Sequence, residues 1–415
     1  MSESRSPADF RGGRIFLTDR IKGPGKASMP EKRTSTGRRW LLPMPARDPA
    51  QVHRQATPLE LFFDLSFVIA VALAAAQLHH ALSEGHIASG VASYLAVFFS
   101  IWWAWMNFTW FASAYDNGDV LYRLASLLQI VGTLILAAGV PRAFLTHDFS
   151  LVFCGYGVMR VGLVSLWLRA AKHDPERRTT ALRFAFGVSA VMLGWAVLLI
   201  SGWPMWGWWL MAGLELAVPL WAERAAKTSW HPSHIAERYG LFTIIVLGES
   251  ILTATNAAQL AAGEYGGTVA LYRAIGGGLL VVFSLWWLYF DRPAHRFLTS
   301  NRAAFLWGYG HYFIFAAAAA AGAGFAVNVD YITGHGKLNR QSAAAAFTLP
   351  VAVYLLALWL LHLRPHRKSG GCYGLMFPVA IVLVLASTFA GWPIPLAGLV
   401  CVLLVMISVI SSSRN

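Results

Sequence analysis

After residue 56 the chain is a succession of apolar runs, each about twenty residues long, separated by short turns rich in polar residues, Gly, Pro or Trp. A run of that length crosses the roughly 30 Å hydrocarbon core of a bilayer as a helix, and a helix satisfies its own backbone there. Twelve such helices are predicted, over residues 59–82, 88–114, 120–144, 149–170, 180–201, 204–222, 238–262, 268–290, 303–327, 343–363, 373–390 and 394–412. Turns such as Ser201-Gly-Trp-Pro and Gly391-Trp-Pro mark several of the ends. The expected fold is an all-α polytopic membrane bundle.

Polar residues inside the apolar runs are the exceptions that bear on function. Glu60 and Asp64 open the first run at i, i+4, which puts both carboxylates on one helix face. An acid at the centre of a membrane helix costs roughly 2.5–3.5 kcal/mol on insertion scales, so such groups face protein, water or an ion. Two readings stand for this pair. One is a proton or cation site; the other is a structural pairing with Arg123 or Arg238, predicted at the same membrane level.

Glu249 lies about 18 Å beyond Glu237 at 1.5 Å per helical residue, flanked by Gly248, Ser250 and Thr253 with no adjacent base. It reads as a proton or cation site, or as a protonated carboxyl that donates a hydrogen bond. Arg160 and Glu215 fall inside the fourth and sixth runs, and the plainest expectation is that they pair. Glu237 and Arg238, at the start of the seventh, are further charge-pair candidates. His311 follows Gly308-Tyr-Gly310 and reads either as a proton relay, because imidazole titrates near neutrality, or as a hydrogen-bonded core histidine. His79, His80, Glu84 and His86 gather at the far end of the first run. Their spacing matches no strong metal signature and adjacent histidines point apart, so no metal site is predicted.

Composition agrees with the pattern: only 13% of the 415 residues are charged, against about 25% in a soluble protein. The charge is unevenly placed. Residues 1–56 hold 12 Lys/Arg against 5 Asp/Glu and read as a disordered basic cytoplasmic arm on an anionic membrane surface, without the apolar core of a signal peptide. Beyond it, with that arm inside, 15 basic residues flank helix ends on the inner side and 4 on the outer, which predicts both termini in the cytoplasm. Cys154, Cys372 and Cys401 all lie in apolar runs and suggest neither disulfides nor zinc. Nucleotide and metalloprotease motifs are absent, so no cofactor is expected, and nothing calls for nucleic acid. The expected partners are the lipid bilayer and protons or small cations.

Two stretches look alike. Glu60 with Ser66-Phe-Val-Ile matches Glu237 with Thr243-Ile-Ile-Val, and Trp110 to Asp116 resembles Trp286 to Asp291. They suggest a parallel 6+6 repeat, with a first half over 57–235 and a second over 236–415.

Several motifs together resemble the bacterial low temperature requirement A (LtrA) family: T-P-L-E-L-F-F-D-L over 57–65, the W-W-A-W to Y-D-N-G-D-V-L-Y-R-L run over 102–124, E-R-Y-G-L-F-T-I-I-V-L-G-E-S over 237–250, and W-W-L-Y-F-D-R-P over 286–293. The resemblance covers most of the chain after residue 56 and implies a multi-pass bacterial inner-membrane protein. A second likeness is local. Phe62-x-Asp64-x-x-Phe67-x-Ile69-Ala70 resembles the start of the first helix in the bacterial and lysosomal potassium channels with an F-S-D signature. Phe63 and Leu65 replace that family's serine and glycine, so its pore assignment does not transfer. The functional expectation is a secondary transporter or ion-conducting protein using intramembrane carboxylates. A membrane enzyme acting on lipid-linked substrates and a non-transporting stress or scaffold protein are the alternatives.

Overall fold

The computed structural model describes residues 40–51, 54–202, 205–265, 268–363 and 373–412. Among them are twelve α-helices: α1 (Pro58–Ser83), α2 (Ile87–Tyr115), α3 (Val120–Leu145), α4 (Ser150–His173), α5 (Arg178–Ile200), α6 (Met205–Ala222), α7 (Pro232–Tyr265), α8 (Val269–Phe290), α9 (Asn301–Thr333), α10 (Arg340–Leu358), α11 (Tyr373–Ser387) and α12 (Pro393–Ser412). A π-helical segment, Trp359–Leu363, extends α10. Residues 1–39, the Trp203-Pro turn, Arg364, Arg367, Lys368 and Cys372 lie outside the described residues.

The ends are written locally. Thr57 and Glu60 form a capping box around Pro58, and Asp119, Thr268, Ser300 and Asn339 each accept a backbone N–H at a helix start. Ten of the helices are long and apolar enough to cross a bilayer. Of the twelve spans expected, α6 and α11 fall short of that length and apolarity among the described residues. Glu215 and four tryptophans dilute the 18 residues of α6, and α11 has only 15 residues.

Helix α9 is the centre of the bundle, with 89% of its apolar window buried. It packs on α1, α7 and α10, and its Ala316–Ala321 stretch lets neighbours come close. A Cβ on Gly324 would run into the Ala346 carbonyl of α10. Helix α1 packs on α2, α3, α7 and α9, so the two acid-bearing segments, α1 and α7, are neighbours.

The predicted arm does not stop at 56 as a feature apart from the helices. Its last part, from Trp40, runs as a strap along one end of the bundle. The Leu42 N–H donates to Asp119 Oδ2 (2.8 Å), the Leu42 carbonyl accepts from Arg169 Nη2 (2.6 Å), and the Arg47 N–H donates to the Ala114 carbonyl (2.9 Å). Met44, part of the strap, is fully buried.

Candidate functional site

The turn that starts α1 also aims its first acid. Glu60 Oε2 is occupied by the Thr57 N–H at 2.7 Å, which leaves Oε1 to face inward. There it meets Arg238 Nη1 (3.2 Å), His234 Nε2 (3.2 Å) and Arg54 Nη2 (3.3 Å). One turn deeper, Asp64 takes both arms of the Arg238 fork, Nε at 2.8 Å and Nη2 at 2.5 Å, and accepts Trp105 Nε1 at 2.6 Å. Thr109 Oγ1 lies 3.4 Å from Arg238 Nη2. Glu60, Asp64, His234 and Arg238 are all 0% exposed. The structure therefore joins α1, α2 and α7 through a dry charge network. Bidentate Arg–carboxylate geometry is the strong form of such a bond.

The strap closes this network from outside. Arg54 Nη2 donates to the Ala112 carbonyl at 3.0 Å and lies 4.0 Å from Asp116 Oδ2. Burial, and then the charge of Glu60, push the Asp116 carboxyl up to about 6 despite Arg54. Its neighbour Asp119 shows the opposite balance. Burial raises it, but hydrogen bonds from Arg169, the Leu42 N–H and the Tyr122 N–H outweigh that and hold it at about 2.

Two expected partners are elsewhere. Arg123 donates to the Gly118 carbonyl at 2.9 Å and is exposed, because it shares the outward phase of α3 with Leu121 and Leu124 while Tyr122 turns in. Glu237 is exposed, accepts the Ala56 N–H at 3.3 Å, and forms no ion pair among the described residues. It sits next to Arg238 in sequence, but the roughly 100° step of an α-helix turns it to the exposed side of α7.

Arg160 and Glu215 lie 2.8 Å apart. Trp103 Nε1 (2.7 Å) and Trp195 Nε1 (3.2 Å) also donate to Glu215, and Arg160 donates to Tyr156 Oη (2.7 Å). Glu249 is 6% exposed; Thr253 Oγ1 donates to it at 2.8 Å, and it forms no ion pair among the described residues. His311 Nδ1 faces the Trp307 carbonyl at 2.7 Å, so it carries the proton there, and Nε2 accepts from Tyr289 Oη at 3.1 Å. His362 Nε2 lies 3.4 Å from His311 Nε2. At the far end, His79 meets Asp330 at 2.7 Å and Glu84 pairs with Lys337, which separates the histidine-rich group. No group of three or more His, Cys, Asp or Glu positioned to hold a metal occurs among the described residues.

A bundle with its first and seventh helices joined by buried charges sits on the very motifs that suggested a family. The family model of the bacterial low temperature requirement A protein (LtrA) matches residues 55–410. The chain belongs to the LtrA family. It is thus a multi-pass membrane protein of a bacterial family, and the match begins one residue after Arg54. This LtrA chain is also 29% identical over 293 residues to "Uncharacterized protein RA0937" of Rhizobium meliloti (strain 1021), which covers 61% of this chain and 64% of that protein. The LtrA chain thus matches less than two thirds of that relative's length.

Sequence reasoning missed Arg54, His234, Trp105 and His362. For His234 a signal existed, since it lies four residues before Arg238 and so on the same helix face, but the helix was expected to start only at 238. Arg54 precedes Glu60 by six residues in a polar stretch and carries no such mark.

Proposed function

We propose that this protein moves protons or a small cation across the membrane, as a secondary transporter or ion conductor. The observation that supports this is Glu249. It lies about 25 Å along α7 from Pro232, buried, with a hydroxyl as its hydrogen-bond partner and no ion pair among the described residues. A carboxyl so placed is neutral with a proton bound and needs a cation without one, which is the exchange a carrier makes. Glu60 and Asp64 are different: guanidinium groups already neutralise them, and they suit a gate that joins helices rather than a site open to cargo.

The 6+6 repeat belongs to the same proposal. What supports it is the order of neighbours. In the first half α1 packs on α3, α3 on α4, α4 on α5 and α5 on α6; in the second α7 packs on α9, α9 on α10, α10 on α11 and α11 on α12. The charge network then spans the junction of the two halves, where transporters built from repeats place their working groups.

Purified protein in proteoliposomes with an internal pH-sensitive dye, under imposed proton and cation gradients, tests the reading. Glu249→Gln keeps the shape and the Thr253 contact, so it is expected to fold normally and to abolish flux. Undiminished flux through a well-folded Glu249→Gln protein removes this residue from the mechanism.

A further inference from the structure

Near the end of the bundle that carries the strap, both proposed halves contribute to a small cavity of about 40 Å³. Its walls are aromatic: Trp110 of α2, Trp167 of α4, Phe184 of α5, and Phe305 and Tyr309 of α9. The one carboxylate on its lining is Glu223, just past the end of α6. At roughly 10–15 Å³ per water the space holds about three waters, or one compact ion in their place.

Glu223 is held firmly, but by neutral groups. The Thr228 N–H (3.1 Å), the Thr228 hydroxyl and Asn301 Nδ2 (2.7 Å) all donate to it. These bonds orient the carboxylate and leave its charge without an ion pair among the described residues. Lys227, the nearby base on the same connection, places its ammonium 4.5 Å from the centre of the Trp230 ring instead. An aromatic ring attracts a cation to its face through its quadrupole, and an aromatic lining beside a carboxylate favours cations that shed water easily. Alkylammonium ions do so; alkali-metal ions keep tight hydration.

We propose that this cavity is a binding site for a small alkylammonium cation, held by the Glu223 carboxylate and the aromatic walls. As the cargo site of the transporter it rests on the transport reading above; as a binding site it stands independently of it.

Isothermal titration of the full chain in nanodiscs with methylammonium, tetramethylammonium and potassium tests the assignment. Saturable one-to-one binding of at least one ammonium ion is expected, with affinity reduced tenfold or more in Glu223→Gln and unchanged in Glu176→Gln, whose side chain is exposed on the loop before α5. Phe305→Leu removes one wall without touching the charge, so it is expected to weaken ammonium binding even if the Glu223 variant fails to fold. Absence of saturable ammonium binding overturns the proposal. So does potassium binding as tightly as either ammonium, or wild-type affinity in Glu223→Gln or Phe305→Leu. Ammonium binding with no flux in liposomes retains the site and removes the transport reading alone.

Discussion

Asp64 and Asp116 show how differently two buried acids of the same chain should answer to neutralisation. Asp64→Asn leaves the 0%-exposed Arg238 guanidinium with Glu60 as its one remaining carboxylate and half of its fork without an acceptor, and removing one partner of a buried pair costs up to roughly 3–5 kcal/mol. A sharp fall in membrane-inserted protein is expected, measured by fluorescence-detected gel filtration, with partial recovery in the double variant Asp64→Asn/Arg238→Gln. Equal yields of single and double variants would show that the pair is not coupled. Asp116 gives a pH test of opposite sense to the usual acid. Its folded-state value of about 6 lies above the ordinary 3.8, so the native state takes up a proton first as pH falls. Stability is expected to rise between about pH 7 and 4, by at most about 3 kcal/mol at 1.36 per unit, and Asp116→Asn should flatten that rise in melting temperature. Asp119, lowered to about 2, contributes stability that is lost only below its ordinary value of 3.8. At this scale the acids were legible because an acid in an apolar run stands out, and Arg238 and the Arg160–Glu215 pair were legible with them, but the other partners were not. Arg54 and Trp105 are brought in by packing across helices, which no local spacing encodes.

Helix existence was readable at every one of the twelve positions, since length and apolarity are local properties. The errors are instructive. Helix α7 starts at Pro232 rather than 238, because Pro at the first helical position followed by Ser-His reads as polar loop when the apolar run is the guide. Close crossings were legible only as small residues, not as pairs: nothing in Gly324 or Ala346 says that they meet. The contact makes a firm expectation. Gly324→Val places a branched side chain against the Ala346 carbonyl, and the α9–α10 pair has to part or shift. Expression of folded protein should drop severalfold, whereas Gly263→Val, at a glycine with open space around it, should leave yield near wild type. Similar yields for the two variants would mean that α10 yields without cost.

At the scale of the whole molecule, the two ends of the bundle differ in how their basic residues are spent. At the strap end Arg47 and Arg169 fasten the strap, Arg177 reaches Asp174 and Glu176, and exposed Arg123, Arg224 and Lys227 remain along the rim. The opposite end has few bases: Arg142 lies 4.0 Å from Asp148, Lys337 meets Glu84, Arg273 sits 4.5 Å above the Trp392 ring, and Arg340 is exposed at the start of α10. An excess of Lys and Arg beside short connections keeps that side from being translocated during insertion. The strap end is therefore expected to face the cytoplasm, with the charge network and the aromatic cavity near that side. Single cysteines at Glu176 and at Thr146, in a chain cleared of Cys154, Cys372 and Cys401, separate the two orientations. In intact spheroplasts a membrane-impermeant maleimide should label the cysteine at 146 and spare the one at 176 until the membrane is permeabilised. Labelling at 176 in sealed cells would reverse the orientation. Cations drawn in from the outside would then reach Glu223 before Glu249, and the order of the two sites along any route would invert.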